Sequence, residues 1–280
     1  MAGDSEVELK LELGAGAAAA LLRHPYVLRY AIGTPTTQRL RSVYFDTVDR
    51  TLRREGMSLR IREVGDEGRV QTLKAGERAL AGLYVRREDE VEVESDAPDP
   101  NAIADPLLRE TLQRVLGGRT LRGLFETDMQ RTQLRMRDGD DAWSLDLDVG
   151  EVRCSGSPIV DPLCEFELEL SKGEPRRLYD AALALLEDLD LTVGLLSKAA
   201  RGYGLADGAR AAPPVREELE RLRASLDAIA PESRSALEAD LDALDTELTT
   251  VRELADLERL RRSKRFARTA LELGRTVAAG

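Results

Sequence analysis

Five stretches of this chain alternate charged and aliphatic side chains one by one. A β-strand is the regular structure whose side chains change face at every residue. In the first stretch Glu6, Glu8, Lys10 and Glu12 share one face, and Val7, Leu9, Leu11 and Leu13 share the other. Arg60 and Arg62 oppose Leu59 and Ile61, and Arg86, Glu88, Glu90 and Glu92 form a third charged row. Asp146 and Asp148 oppose Leu145, Leu147 and Val149, and Glu165, Glu167 and Glu169 oppose Phe166, Leu168 and Leu170. Such rows are the ordinary solvated faces of half-buried antiparallel strands. The set as a whole favours a second reading. Acids repeated at alternate positions of one strand repel unless something cationic neutralises them, and Arg and Lys recur at similar density on neighbouring strands. A barrel with its polar face inward gathers both signs in one lumen. There carboxylates chelate a divalent cation, and Lys and Arg bind phosphate oxygens by charge-assisted hydrogen bonds. Periodicity leaves both facings open.

Further strand candidates are residues 41–46, 57–64, 69–75, 84–94, 123–137, 142–149, 151–155 and 164–170. Gly65-Asp66-Glu67-Gly68 and Asp138-Gly139-Asp140-Asp141 read as hairpin turns. Residues 15–30, 99–116 and 174–189 have helical spacing. Many short strands joined by turns predict an α+β chain, built on an antiparallel barrel or sandwich with flanking helices.

The composition shifts after Leu205. Residues 206–214 are rich in Gly, Ala and Pro and read as a linker. Beyond it, Leu219, Leu222, Leu226 and Ile229, then Leu237, Leu241, Leu244, Leu248 and Val251, step at heptad-like spacing. Pro231 is expected to break the first helix from the second, with another break near Ser263. The tail, residues 215–280, is thus expected to be all-α. Its Leu seam either packs on the barrel or forms a homodimer.

The net charge is -11 and aromatic residues are 4% of the chain, which supports neither a general nucleic-acid surface nor a base-stacking platform. No signal-peptide pattern and no apolar run near ~18 residues is seen. The expected setting is therefore cytoplasmic, away from the membrane, with Cys154 and Cys164 as thiols rather than a disulfide. His24 is the sole histidine, so multi-His metal sites and His-based triads are excluded. Any metal must be held by carboxylates, which favours Mg²⁺, Mn²⁺ or Ca²⁺.

A series of motifs runs along residues 6–205. It begins with Glu6-Val7-Glu8-Leu9-Lys10, then Tyr44-Phe45-Asp46-Thr47 with Asp49, Leu52 and Gly56, then Leu59-Arg60-Ile61-Arg62 and Gln71-Thr72-Leu73-Lys74. Arg86, Glu88 and Glu90 follow, then Thr127 with Arg131, then Asp148-Val149-Gly150. Glu165-Phe166-Glu167-Leu168-Glu169 and Ser197-Lys198-Ala199-Ala200-Arg201-Gly202-Tyr203 complete it. In content and order the series resembles the CYTH superfamily, the triphosphate tunnel metalloenzymes. Within that superfamily it is most similar to the bacterial inorganic triphosphatases, which are often fused to a helical CHAD domain.

The resemblance implies an eight-stranded antiparallel tunnel over residues 1–205 with the charged rows inward, hydrolysing the terminal phosphoanhydride of a triphosphate with Mg²⁺ or Mn²⁺. It implies that Glu6, Glu8, Glu167 and Glu169 hold the metal, with Asp148 and Glu165 as further ligands or supports. Lys10, Arg60, Arg62, Lys74, Arg86, Arg131 and Lys198 would bind phosphates, with Arg201 near the tunnel mouth. Lys74 would also act in catalysis, and Glu88 or Glu90 would assist as base or hold a second ion. Nucleoside or thiamine triphosphatase and adenylate cyclase are the enzyme alternatives. A non-catalytic polyphosphate-binding module is the alternative of another class. The tail departs from a CHAD domain in its short length and lack of histidine. It carries a basic cluster, Arg259, Arg261, Arg262, Lys264, Arg265 and Arg268, read either as a solvated helix end or as a polyphosphate or partner contact on a shortened or degenerate CHAD-like module, the tail otherwise being a lineage-specific bundle.

Overall fold

The computed structural model describes residues 5–279 apart from Ala15, Asp66 and Glu67. In chain order its elements are β1 (Ser5–Leu13), α1 (Ala18–Leu21), α2 (Pro25–Tyr30), β2 (Ala31–Asp46), α3 (Thr51–Arg54), β3 (Met57–Val64), β4 (Gly68–Leu80), β5 (Leu83–Val93) and α4 (Pro106–Leu116). Then follow β6 (Arg122–Asp138), β7 (Asp141–Cys154), β8 (Val160–Lys172), α5 (Arg176–Leu186), β9 (Leu191–Val193) and α6 (Lys198–Ala206). The tail holds α7 (Val215–Ser225), α8 (Pro231–Thr249), α9 (Leu254–Arg261) and α10 (Lys264–Val277). Among the described residues no helix is long and apolar enough to cross a membrane.

The strands run β5-β4-β3-β2-β6-β7-β8-β1, and β5 pairs back onto β1 to close an eight-stranded antiparallel barrel. The ninth strand shares an edge. β8 occupies one side of β1, while on the other side β5 pairs as far as Leu9 and β9 takes over from Leu11 to Leu13.

The barrel is apolar outside and charged inside. Leu9, Leu11 and Leu13 of β1 face out with Leu145, Leu147, Phe166 and Leu168, under Leu178, Ala182 and Leu185 of α5. Leu59 and Leu73 face out under Leu108 and Leu112 of α4. The tail completes this cover. Leu219, Leu222, Leu226, Ile229, Leu237, Leu241, Leu244 and Leu248 are buried in the same cluster as the β1 leucines. The seam therefore packs within its own chain, and these side chains are not available for a homodimer.

Several boundaries differ from the sequence reading. The second strand begins at Ala31 rather than Arg41. Gly33 and Pro35 interrupt the alternation in its first half, and they sit at a register shift between Ile32 and Thr36 against β6. β3 joins only from Leu40, so Pro35 needs no ladder donor on that side. Residues 142–149 and 151–155 form one strand, because Gly150 packs so tightly on β6 that a Cβ there would lie 2.2 Å from the Asp128 carbonyl oxygen. The expected helix 15–30 is two short helices. His24 lies at their junction, its Nδ1 accepting the Tyr26 N–H as a cap ahead of Pro25. Ala15, at the start of that stretch, lies outside the described residues, as do Asp66 and Glu67 of the expected 65–68 turn. α4 starts only at Pro106, where Asp105 accepts the Leu107 and Leu108 N–H groups. Pro231 opens α8 and Ser263 caps α10, as the spacing predicts, and a further break separates α8 from α9. Both cysteines are free. Cys164 pairs opposite Val149 inside β8, and Cys154 lies at the end of β7.

Because tail and barrel share one apolar cluster, they should unfold together. Trp143, the sole tryptophan, lies in that cluster on the barrel side. Its fluorescence and the far-ultraviolet helix signal should give coincident denaturant transitions. Two separated transitions would show that the tail unfolds independently. Leu241→Ala, at a fully buried tail position, should cost about 2–5 kcal/mol in the same titration.

Candidate active site

Strand pairing fixes which side chains meet. Lys10 lies opposite Glu167, Asp146 opposite Glu167 from the other side, and Arg131 opposite Asp148. Arg60 lies opposite Thr72, Lys74 opposite Glu88, and Arg86 opposite Glu6. Since parity is conserved across a ladder, these residues all point into one lumen. The lumen encloses about 750 Å³, and Glu6, Lys10, Arg60, Arg62, Lys74, Arg86, Glu88, Glu90, Arg131, Glu167, Glu169 and Lys198 line it. Glu8, Asp148 and Glu165 sit behind this lining, none more than 2% exposed.

Two ion networks fill the space. In the first, Lys10 Nζ lies 3.0 Å from Glu165 and also contacts Glu167. Lys198 Nζ, from the start of α6, lies 2.9 Å from Asp148, 2.6 Å from Glu165 and 2.9 Å from Glu167. Arg131 forks onto Asp148 at 2.7 and 2.6 Å, and reaches Asp146 at 2.8 Å and Glu167 at 2.9 Å. In the second network, Arg86 donates to Glu6 at 2.7 Å and to Glu8 at 2.5 Å. Lys74 lies 3.0 Å from both Glu6 and Glu88. Arg60 lies 3.6 Å from Glu90. Arg62 has no ion-pair partner among the described residues, and its Nε is buried without an acceptor.

Protonation follows this distribution. Burial alone pushes the Glu165 and Glu167 carboxyls up, but Lys10 and Lys198 outweigh it and hold both below the usual carboxylate range. Asp148 is held down at about 2 by Lys198 and Arg131, against burial. Other acids go the opposite way. Burial, then the charges of Glu6, Asp146 and Glu8, raise Glu169 to about 7. Burial also raises Glu88 to about 7, against the pull of Lys74 and helped by a hydrogen bond shared with Glu6. Glu8 is raised by burial and the Glu167 charge, and Asp146 by burial. Burial and the neighbouring Arg60 and Arg131 lower Arg62 to about 10.

The donor set suits a hard divalent cation. Carboxylate oxygens of Asp148, Glu165 and Glu167 lie within 4.8 Å of one another. Glu165 Oε2 is buried without a partner. Burial raises Glu8 and Asp146 even though Arg86 and Arg131 pair with them, and it raises Glu169 together with the charges of neighbouring acids. Oxygen-only ligands of this kind favour Mg²⁺, Mn²⁺ or Ca²⁺.

The structure places most of the expected residues together. Arg201 is different: it lies outside the lumen lining, 3.1 Å from Glu12 and 3.0 Å from Asp161. The sequence reading also passed over three contributors. Asp146 lies on the same row as Asp148, and that parity was a sufficient signal. Tyr44, whose hydroxyl accepts from Arg60 at 3.4 Å, and Thr72, which donates to Glu90 at 2.8 Å, carry no charge and gave none. Apart from the buried Arg261, the basic cluster of the tail is a solvated surface, and its cations are paired within the chain. Arg259 pairs with Asp256, Arg265 with Glu247 and Arg268 with Glu187, while Arg262 pairs with Glu258 and Lys264 donates to the Glu187 carbonyl. Arg261 is 3% exposed and reaches Glu12 of β1.

The raised carboxyls set a pH dependence. Glu88 and Glu169 bind protons more tightly folded than unfolded, so stability falls as pH rises from about 4.5 through 7. Glu165, Glu167 and Asp148 bind them less tightly, so stability is also lost as pH falls below about 4. Without added metal the melting temperature should therefore peak at mildly acidic pH. Mg²⁺ or Mn²⁺ should raise it more at pH 8 than at pH 5, because a cation displaces the Glu169 proton. Glu169→Gln should flatten the neutral limb of this profile, and an unchanged profile would reject the assignment.

The chain is similar to several known proteins. The chain is 28% identical over 199 residues, 71% of its length, to an inorganic triphosphatase of Haemophilus influenzae, and it spans 54% of that relative's length. Among solved structures, the Hippeastrum protein HpAC1, described as having a dominant triphosphatase activity, is 22% identical with a TM-score of 0.48, over 71% of this chain and 95% of that one. The RNA triphosphatase domain of a trifunctional mimivirus mRNA capping enzyme is 11% identical with a TM-score of 0.40, over 65% of this chain and 88% of that one. The CYTH domain model matches residues 4–203, the whole barrel and the greater part of α6 included, and the chain belongs to the CYTH family.

Proposed function

We propose that this protein hydrolyses the terminal phosphoanhydride of inorganic triphosphate inside the lumen, with Mg²⁺ or Mn²⁺. One observation carries the reading. Seven cations, Lys10, Arg60, Arg62, Lys74, Arg86, Arg131 and Lys198, converge from the strands and α6 on one 750 Å³ cavity. A linear polyanion is the ligand that such a surround of cations fits, and Arg62 waits without a partner to receive it.

Glu6, Glu8, Glu167 and Glu169 would hold the metal, with Asp148 and Glu165 supporting them from behind the lining and Asp146 beside them. The metal, when bound, would supply charge neutralisation on the phosphoryl oxygens and orient a water. The chain's own groups do the rest. Arg60, Arg62 and Arg131 bind the phosphate chain, and Lys10, Lys74 and Lys198 neutralise charge as it shifts towards the leaving diphosphate. Water attacks the terminal phosphorus, the bridging P–O bond breaks, and the water proton passes to a carboxylate. Glu88 suits that role better than Glu90. Its pKa of about 7 matches the operating pH of a base, whereas Arg60 and Thr72 outweigh burial and hold Glu90 below the usual range.

A second reading has one supporting observation. Small and apolar residues, Leu196, Ala199, Ala212 and Pro214, line the lumen together with Tyr203. An organic group on a nucleoside or thiamine triphosphate would rest there. For a non-catalytic polyphosphate module the tail offers less support, because its basic cluster is paired within the chain.

Phosphate release from tripolyphosphate, ATP and thiamine triphosphate, with and without Mg²⁺ or Mn²⁺, separates these readings. Metal-dependent release, fastest from tripolyphosphate, is expected. No release from any of the three rejects the enzyme reading. Glu8→Gln should reduce turnover by roughly 10²-fold or more while leaving the circular dichroism spectrum intact, and Glu88→Gln should remove the acidic limb of the kcat profile.

A further inference from the structure

The tail reaches the surroundings of Lys10 by two routes, one through the β4–β5 turn and one directly to Glu12 of β1. The first route ends at the backbone of Lys10. It lies where the edge of β1 passes from β5 to β9, so neither strand pairs with it in register. Its N–H donates to the Gly82 carbonyl at 2.9 Å, and its own carbonyl accepts the Gly194 N–H at 2.8 Å. Both partners must be glycine. A Cβ on Gly82 would lie 2.9 Å from the Lys10 carbonyl oxygen, and one on Gly194 would lie 2.4 Å from the Lys10 Cγ. The seat of Lys10 thus depends on where the β4–β5 turn lies.

That turn is held from the tail. Ala81 adopts a φ of 53° and is fully buried, a conformation that a residue with a side chain keeps only when its surroundings impose it. Its N–H donates to Glu218 Oε1 of α7 at 2.6 Å, and Glu218 is 1% exposed. The preceding carbonyl, of Leu80, accepts the Tyr179 hydroxyl of α5 at 3.0 Å.

The second contact is Glu12, on the same row as Lys10 and opposite Glu165. Glu12 is 3% exposed, and Arg261 at the end of α9 lies 2.9 Å from it, with Arg201 at 3.1 Å. Without these cations the Glu12 charge would compete with Glu165 for Lys10 and Lys198.

We infer that Glu218 and Arg261 are positioning residues for the lumen: Glu218 seats Lys10 through the β4–β5 turn, and Arg261 holds Glu165 and Lys198 in register by neutralising Glu12. The inference rests on the triphosphatase reading of the lumen. Misplacement of a reacting group by about 1 Å is enough to cost 10²-fold in rate, so contacts remote from the phosphates still reach kcat.

The test uses the full chain. Glu218→Ala, Glu218→Gln, Arg261→Met and, as a control in the tail core, Leu244→Ala are compared. Steady-state release from tripolyphosphate with Mg²⁺, thermal melting, and hydrogen exchange of the β1 amides are the readouts. Glu218→Ala and Arg261→Met should each lower kcat by about ten-fold or more, with KM little changed and faster exchange in β1. Glu218→Gln should recover most of kcat, because its amide oxygen still accepts the Ala81 N–H. Leu244→Ala should lower the melting temperature and leave kcat unchanged below it. Full kcat in both Glu218→Ala and Arg261→Met, or an equal kcat loss in Leu244→Ala, overturns the inference. Should Glu218→Ala not fold, Arg261→Met on a separate helix decides. If the unaltered protein releases phosphate from no triphosphate, the lumen reading fails, and β1 exchange alone decides positioning: faster in the variants supports it, unchanged overturns it.

Discussion

The buried pairing of Lys10, Arg131 and Lys198 with Asp148, Glu165 and Glu167 is the constraint on which the molecule depends. A charge removed from water costs several kcal/mol unless counter-charges surround it with good geometry. No single strand supplies them. Lys10 comes from β1, Arg131 from β6, Asp148 from β7, the two glutamates from β8 and Lys198 from α6. Only a closed barrel brings all of them within hydrogen-bond distance, so closure and charge balance are one requirement. The balance is incomplete in two respects: among the described residues Arg62 has no ion-pair partner, and burial raises Glu8, Asp146 and Glu169 despite the cations nearby. A protein with this lumen is short of both a polyanion and a cation.

Turning the charged faces inward forces the apolar faces outward, and each must then be covered. α4 covers Leu59 and Leu73, while α5 and the tail cover the leucines of β1, β7 and β8. The helices are thus the true hydrophobic partners of the sheet. This explains why the heptad-like seam of the tail stays within the chain, and why the tail can touch the same strand that carries Lys10. Glu218 and Arg261 are buried polar groups in that interface, each bonded both to the barrel and within its own helix.

The alternation of charge with aliphatic residues made the strands legible, and β3 runs over Met57–Val64 as the pattern predicts. The first half of β2 was not legible, because Gly33 and Pro35 break the pattern and only pairing to β6 makes an extended strand of it. β9 has three residues, too few to show a period. At the candidate site the charged residues were legible from parity and motif order. Tyr44 and Thr72 were not, since their contribution is a hydrogen bond to a charged neighbour. Arg201 was read from its motif as a phosphate contact, and Arg261 only as part of a basic cluster. Their partner, Glu12, lies 189 and 249 positions away in sequence, and no local signal links them.

By itself the sequence determined which side chains share a face, because a strand's period of two follows from backbone geometry. It also determined that any metal must bind through oxygen, because there is one histidine and two separated thiols. Which face points inward was decided only by the tertiary structure. Alternation is symmetric with respect to the two sides of a sheet, and closure onto β5 together with the helices packed outside breaks that symmetry. The division of the row on β1 was decided the same way. Glu6 and Glu8 meet Arg86, Lys10 meets Glu165 and Glu167, and Glu12 meets Arg261, since a counter-ion is chosen by what the fold brings within about 3 Å and not by what is near in sequence.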